Sequence, residues 1–444
     1  MGVERPGTAR RGLAPVALVA VLLPGCALDV AVPPPDALAP ATRQVLAPPP
    51  APAGVAPDDA PLQEALDAVA AAFLAADPDA LRPWLADPDG DFGRRWLARA
   101  EHLAALPLAS YDLTLEPSLP DLATADVRGR LGARAQVRAV REALVLDGFD
   151  ATGPAVEDLY LTLVPDGDRW RVAGDADAEP LGLLSVDHLW DQGPVATTAS
   201  ARLLAIHHPG QAGIDTILSE AEAALDDARA RWPLDWPGRV AVVVPRDEAE
   251  LATLLHVSFD LSSFIAFATA TPEGELGDHR LTGPRVVLNT PRFLSRPSDV
   301  RRSILVHELV HVATRPSAGP VTPSWLEEGV AQSLGERRST TGTGLLDRLV
   351  AAGFDGALPT DGQFTTGGRE RIFLSYQLAW SFVDHLVRTR GADEVAAFYA
   401  ELGRGSVARP GTEPWHVDRA AREVFGADLA ALRAEWRDAV RPSR

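Results

Sequence analysis

Apolar positions along the chain divide it into two parts with different periods. Leu62, Leu66, Val69, Phe73 and Leu74 recur at helical spacing. A second helical stretch runs from Phe92 to Leu106, with Trp96, Leu97 and Leu103 apolar and Pro107 ending it. Alternating stretches follow at Tyr111–Leu115, Ala135–Leu146 and Asp158–Val164, and the last joins a strand at Trp170–Val172 through Pro165-Asp166-Gly167-Asp168, a hairpin turn by residue type. From about Thr197 strands and helices alternate: a strand at Ala201–His207, a helix at Ile214–Trp232, a strand at Arg239–Val244, a short helix at Asp247–Leu255, and strands at Ile265–Thr271 and Arg285–Asn289. Pro272–Gly283, glycine-bearing and acidic, reads as a solvated turn between the last two. Beyond Pro297 the pattern is helical, with Ser298 as the cap of a helix that should run to Arg315 because Pro316 cannot continue it.

Before Leu62 there is no such pattern. Arg5, Arg10 and Arg11 precede an apolar run at residues 13–23, and Leu23-Pro24-Gly25-Cys26 follows, the three-part layout of an export signal that is too short to span a bilayer. Residues 27–61 contain Pro33-Pro34-Pro35 and Pro48-Pro49-Pro50, a composition for an extended tether. Leu23 to Cys26 resembles a bacterial lipobox, which implies lipidation at Cys26 and a membrane-anchored, extracytoplasmic protein; plain secretion is the alternative. The expected division is a signal peptide at 1–25, a tether at 26–61, an accessory domain at 62–180 and a larger domain at 197–440. Helices followed by a long antiparallel sheet resemble the nuclear-transport-factor-2-like (NTF2-like) fold, which implies an accessory domain with a binding or spacer role.

Composition narrows the partners. The 444 residues carry 42 basic and 61 acidic side chains, a net charge of −19, so long-range repulsion disfavours nucleic acid. Cys26 is the only cysteine, which excludes an intrachain disulfide and any cysteine-based zinc site.

The chemistry is concentrated in His307-Glu308-Leu309-Val310-His311. Residues four apart lie one turn apart on one helical face, so the two imidazoles can converge on one cation, with Glu308 about 100° round from His307 and free to take a proton from water. Ile304, Leu305, Val306, Leu309, Val310 and Val312 make the helix apolar nearly all round and hence buried. A third ligand is expected downstream, and Glu327 and Glu328 lie on a second helix opened by Thr322 and Pro323; adjacent helical residues diverge, so only one of the two can face the metal.

His307–His311 followed by Trp325-Leu326-Glu327-Glu328-Gly329-Val330-Ala331 resembles the gluzincin metallopeptidases, and from about Ala201 to Val440 the chain is similar to the peptidase MA-like domains of exported actinobacterial proteins. The resemblance implies an α+β protein, one Zn²⁺ held by His307, His311 and Glu328, Glu308 as general base, and a peptide substrate lying along Ile265–Thr271. It also implies that Tyr376, in Ser375-Tyr376-Gln377 at the opening of a later helix, stabilises the tetrahedral intermediate. Two features depart from the family: the methionine-containing exopeptidase motif is absent, since Met1 is the only methionine, and Gln332 stands where relatives place a carboxylate that orients a ligand histidine. His102, His207, His208 and His385 read as packing or surface residues. The competing class is a non-catalytic cell-surface binding protein built on a peptidase-like fold.

Overall fold

The computed structural model describes residues 17–22, 59–256, 261, 264–275, 278–335, 353–366, 368–405 and 413–440. Cys26 and nearly all of the tether lie outside them. The described chain is α+β, with one four-stranded antiparallel sheet and one six-stranded mixed sheet. Strand β1 (Ala17–Leu22) lies within the apolar run of residues 13–23 and pairs antiparallel with the outer edge of β9 (Phe264–Glu275), Val19 opposite Ala268. Its Ala, Val and Leu residues tolerate extension, and the pairing satisfies an edge whose N–H and C=O groups would otherwise stand open.

The N-terminal layer opens with α1 (Ala60–Leu74), α2 (Pro78–Leu81) and α3 (Asp91–Leu103). Strand β2 (Leu108–Leu115), α4 (Ala125–Leu131), β3 (Gln136–Leu146), β4 (Ala155–Asp166) and β5 (Arg169–Gly174) follow, and the strands pair in chain order. Leu159, Leu161 and Leu163 share one face of β4, as the alternation predicts, and bury against Leu66, Phe73 and Trp96 of the helices. The β4–β5 hairpin closes on Gly167-Asp168, with Asp166 opposite Arg169.

One charged network lies inside this layer. Arg99 is held by Glu142 and by the Tyr111 hydroxyl at 2.7 Å, and His188 Nε2 meets the other oxygen of Glu142. Burial raises the Glu142 pKa, but Arg99 and then His188 outweigh it and hold the carboxyl at about 2. A depressed folded-state pKa stabilises fully above the unfolded value, so this contribution is present above about pH 4.5 and is lost as pH falls toward 2. Glu142→Gln, which leaves Arg99 buried beside a neutral amide, is expected to lower stability by about 3 kcal/mol and to flatten the acid limb of a pH-dependent melting curve. An unchanged acid limb would show that Glu142 is not the group titrating.

The larger sheet contains β6 (Ala196–Ala199), β7 (Leu203–His207), β8 (Val240–Val244), β9 and β10 (Asp278–Leu288) in the order β1-β9-β10-β8-β7-β6. The pairs β7–β8 and β8–β10 are parallel and the remaining pairs antiparallel. Helices α5 (Ile214–Arg231) and α6 (Glu248–Leu255) connect the strands, and α7 (Thr290–Leu294), α8 (Ser298–Thr314), α9 (Ser324–Gly335), α10 (Arg369–Arg390), α11 (Ala392–Gly403), α12 (Glu413–Phe425) and α13 (Leu429–Val440) follow. Leu203, Ala205, Val240 and Val242 face the core containing α5 and α8, whereas Leu204, Ile206 and Ala241 face the N-terminal core. The sheet is thus buried on both sides, which is why β7 and β8 read as unbroken apolar runs. At the junction Val156 N–H donates to Thr271 Oγ1 at 3.1 Å, and Arg285 forms a buried two-point pair with Asp150. Gly283, at φ +54° in a bulge of β10, allows this approach, since a Cβ there would stand 2.4 Å from Ala155 Cα.

Four local expectations need correction. Pro272–Gly283 is not a solvated turn: β9 and β10 extend through most of it, paired from Thr271–Thr282 out to Glu275–Asp278. The pairing overrides the turn signals because Pro272 and Gly283 sit at the bulge end of the ladder. Ser298 does not cap α8; Pro297 holds the cap position and Ser298 Oγ donates to Glu220. Helix α8 stops at Thr314, and Pro316 is taken into a single 3-10 turn, Arg315–Ser317. Tyr376 lies two turns inside α10, which begins at Arg369.

Candidate metal centre

Helix α8 is buried continuously from Ile304 to Thr314, as its apolar sequence requires, and His307, Glu308 and His311 lie within that stretch. The i,i+4 spacing brings His311 Nε2 within 3.0 Å of His307 Nε2. Helix α9 brings Glu328 Oε2 to 3.5 Å from His307 Nε2 and 3.4 Å from His311 Nε2. Gly329 makes that approach possible: a Cβ there would lie 2.4 Å from Val383 Cγ2 and 2.6 Å from the Ala379 carbonyl, both on α10. The first turn of α9 is anchored by Asp361, which accepts from Ser324 N–H at 2.9 Å.

Glu327 turns the other way and pairs with Arg315 at 3.1 Å, the guanidinium being almost wholly buried. Only one of the two adjacent glutamates therefore faces the histidines, and it is Glu328. Tyr376, on α10, hydrogen-bonds Glu328 and stands close enough to Glu308 to feel its charge. Gln332, one turn after Glu328, is buried beside His307. The five residues expected around the metal thus come together with Gln332, whereas Cys26 lies outside the described residues.

Burial dominates the electrostatics of the group. Burial pushes the His307 pKa down to about 3, with Gln332 acting against it, and burial holds His311 at about 4 against the pull of Glu328. Glu308 is driven well above the ordinary carboxylate range by burial and then by Glu328, opposed by Arg315 and the Ala268 amide of β9. Burial likewise raises the Tyr376 hydroxyl. Among the described residues the Glu308 oxygens are buried with no side-chain hydrogen-bond partner, and Oε2 of Glu328 is buried between the two imidazoles. A tetrahedral ion with bonds of 2.0–2.1 Å to nitrogen and oxygen sets its ligands about 3.4 Å apart, so the observed triangle of 3.0, 3.4 and 3.5 Å fits a metal with little rearrangement. His307, His311 and Glu328 form a group that can hold a metal ion.

The other histidines are placed elsewhere. His207 and His208 are buried and bonded to Thr198 and to the Pro194 carbonyl, so they are packing rather than surface residues. His102 bonds the Trp190 carbonyl, and His385 is buried on α10 outside the metal group. Arg315, which decides between the two glutamates, was not singled out by the sequence reading. It continues the His307–His311 stripe at the next i+4 position, and that spacing is the signal that would have found it. The chain matches no protein-family model, no curated protein and no solved structure.

Proposed function

We propose that the protein is an exported, lipid-anchored, zinc-dependent peptidase with a gluzincin-like catalytic part and an NTF2-like accessory layer. The observation that carries this reading is the convergence of His307, His311 and Glu328 beside the buried Glu308. Two imidazoles and one carboxylate are the donor set of a catalytic zinc site with a position left for water. The ion supplies Lewis acidity, polarising a peptide carbonyl and lowering the pKa of a water.

Glu308 takes the proton of the attacking water on its carboxylate and returns it to the departing amine. Tyr376 donates its hydroxyl hydrogen to the oxygen that becomes negative as the carbonyl turns tetrahedral. Gln332 steadies the His307 ring, and Arg315 keeps Glu327 out of the ligand set. Peptide would add along the outer edge of β9 when β1 is absent, as it is once a leader has been removed. Anchoring would run through Cys26; among the described residues no helix is long and apolar enough to cross a membrane.

The test is elemental analysis of the purified protein together with cleavage of a denatured protein mixture. The expected result is one zinc per chain and hydrolysis that a chelator stops and added zinc restores. Zinc without cleavage would favour the non-catalytic surface-binding alternative, and a protein that takes up no metal would overturn both the zinc assignment and the peptidase.

A further inference from the structure

A second site lies on the face of the large sheet turned away from α8. Between the two sheets, under the segment 182–190, is a cavity of about 740 Å³, within the range of small-molecule sites. Its walls are largely apolar, with Leu146, Leu189, Trp190, Ile206, Val243 and Leu254 among them, and Leu184, half exposed, also lines it.

The polar groups that line it are unbalanced in sign. Arg285 is committed to Asp150, and His188 to Glu142. Asp187 faces His256, 3.6 Å away. Glu157 and Asp158, both lining the cavity, have side chains with no hydrogen bond or ion pair among the described residues. Arg285, the cation that acts on Glu157, is already engaged by Asp150, and a carboxyl so placed beside an apolar chamber selects a ligand that carries positive charge at one end and hydrocarbon at the other.

We propose that this cavity binds a small amphiphilic amine, its hydrocarbon part among Leu146, Trp190 and Leu254 and its ammonium group against Glu157. Burial, with Asp158 and Glu142 adding to it and Arg285 opposing, pushes the Glu157 pKa up to about 8. A carboxyl held protonated in this way regains its charge when a cation is placed beside it. The ligand meets none of the metal-binding residues, so the inference stands or falls independently of the peptidase.

The test uses the full chain and three probes of equal chain length, decylamine, decanol and decanoate, followed by titration calorimetry. Decylamine is expected to bind most tightly and decanoate least. Glu157→Gln should weaken decylamine by about tenfold or more, the cost of losing a charge-assisted contact, while leaving decanol unchanged. Leu254→Trp, which fills the chamber, should abolish binding of all three, which separates the cavity from adsorption at the surface. Equal affinities for amine and alcohol, an amine affinity indifferent to Glu157→Gln, or binding that survives Leu254→Trp would each overturn the proposal, as would failure of every probe to bind. Melting temperatures confirm that each variant is folded.

Discussion

Glu308→Gln is expected to keep its zinc and lose hydrolysis. Glu308 is not one of the three converging groups, and glutamine has the same shape, so ligand geometry and folding should survive. Burial and then Glu328 already push this carboxyl well above the ordinary carboxylate range, so a neutral amide is tolerated at the same place. An amide cannot accept the proton of the attacking water, and loss of a general base costs on the order of 10²- to 10⁴-fold in turnover. Zinc content, melting temperature and turnover measured on one preparation decide the matter. Turnover close to that of the unaltered protein would exclude Glu308 as the base.

The two adjacent glutamates should fail in different ways. Glu328→Ala removes one of three ligands and should leave a folded protein with little bound zinc. Glu327→Ala should instead retain zinc in the folded fraction and lose stability by roughly 3–5 kcal/mol, because Arg315 is left buried without its carboxylate partner. Elemental analysis alongside thermal melts separates the outcomes. If Glu327→Ala strips the metal while Glu328→Ala spares it, the ligand assignment is reversed.

His307, Glu308 and His311 were legible in the sequence because helix geometry alone turns a four-residue spacing into a shared face. The third member of the group was legible from spacing only as a pair, and only the family resemblance pointed to Glu328. Spacing says that Glu327 and Glu328 diverge but not which of them faces the histidines, and the structure resolves this through Arg315, a partner on another element. The same holds for Asp361 at the start of α9 and for the Ala268 amide near Glu308: both contacts are made by chain closure over long sequence separations, which no local pattern records. In the N-terminal layer the alternation gave β3 to within one residue but only the middle of β4, which begins at Ala155 and ends at Asp166. The extended arms of β9 and β10 were missed because turn-type residues there are overruled by the ladder. The short strand β6 has too few alternating positions to register.

The sheet shared by the two layers has a consequence for how the protein is inherited and handled. Leu204, Ile206 and Ala241 belong to the N-terminal core although they lie on strands of the larger sheet, and Arg285 reaches across to Asp150. A chain cut near residue 197 would expose that apolar face to water, so the half that carries His307, His311 and Glu328 is not a portable module that recombination could move to a new partner unchanged. The two halves are therefore expected to melt as one cooperative unit. Substitutions at their junction are constrained by the fit of one layer to the other as much as by the chemistry of either.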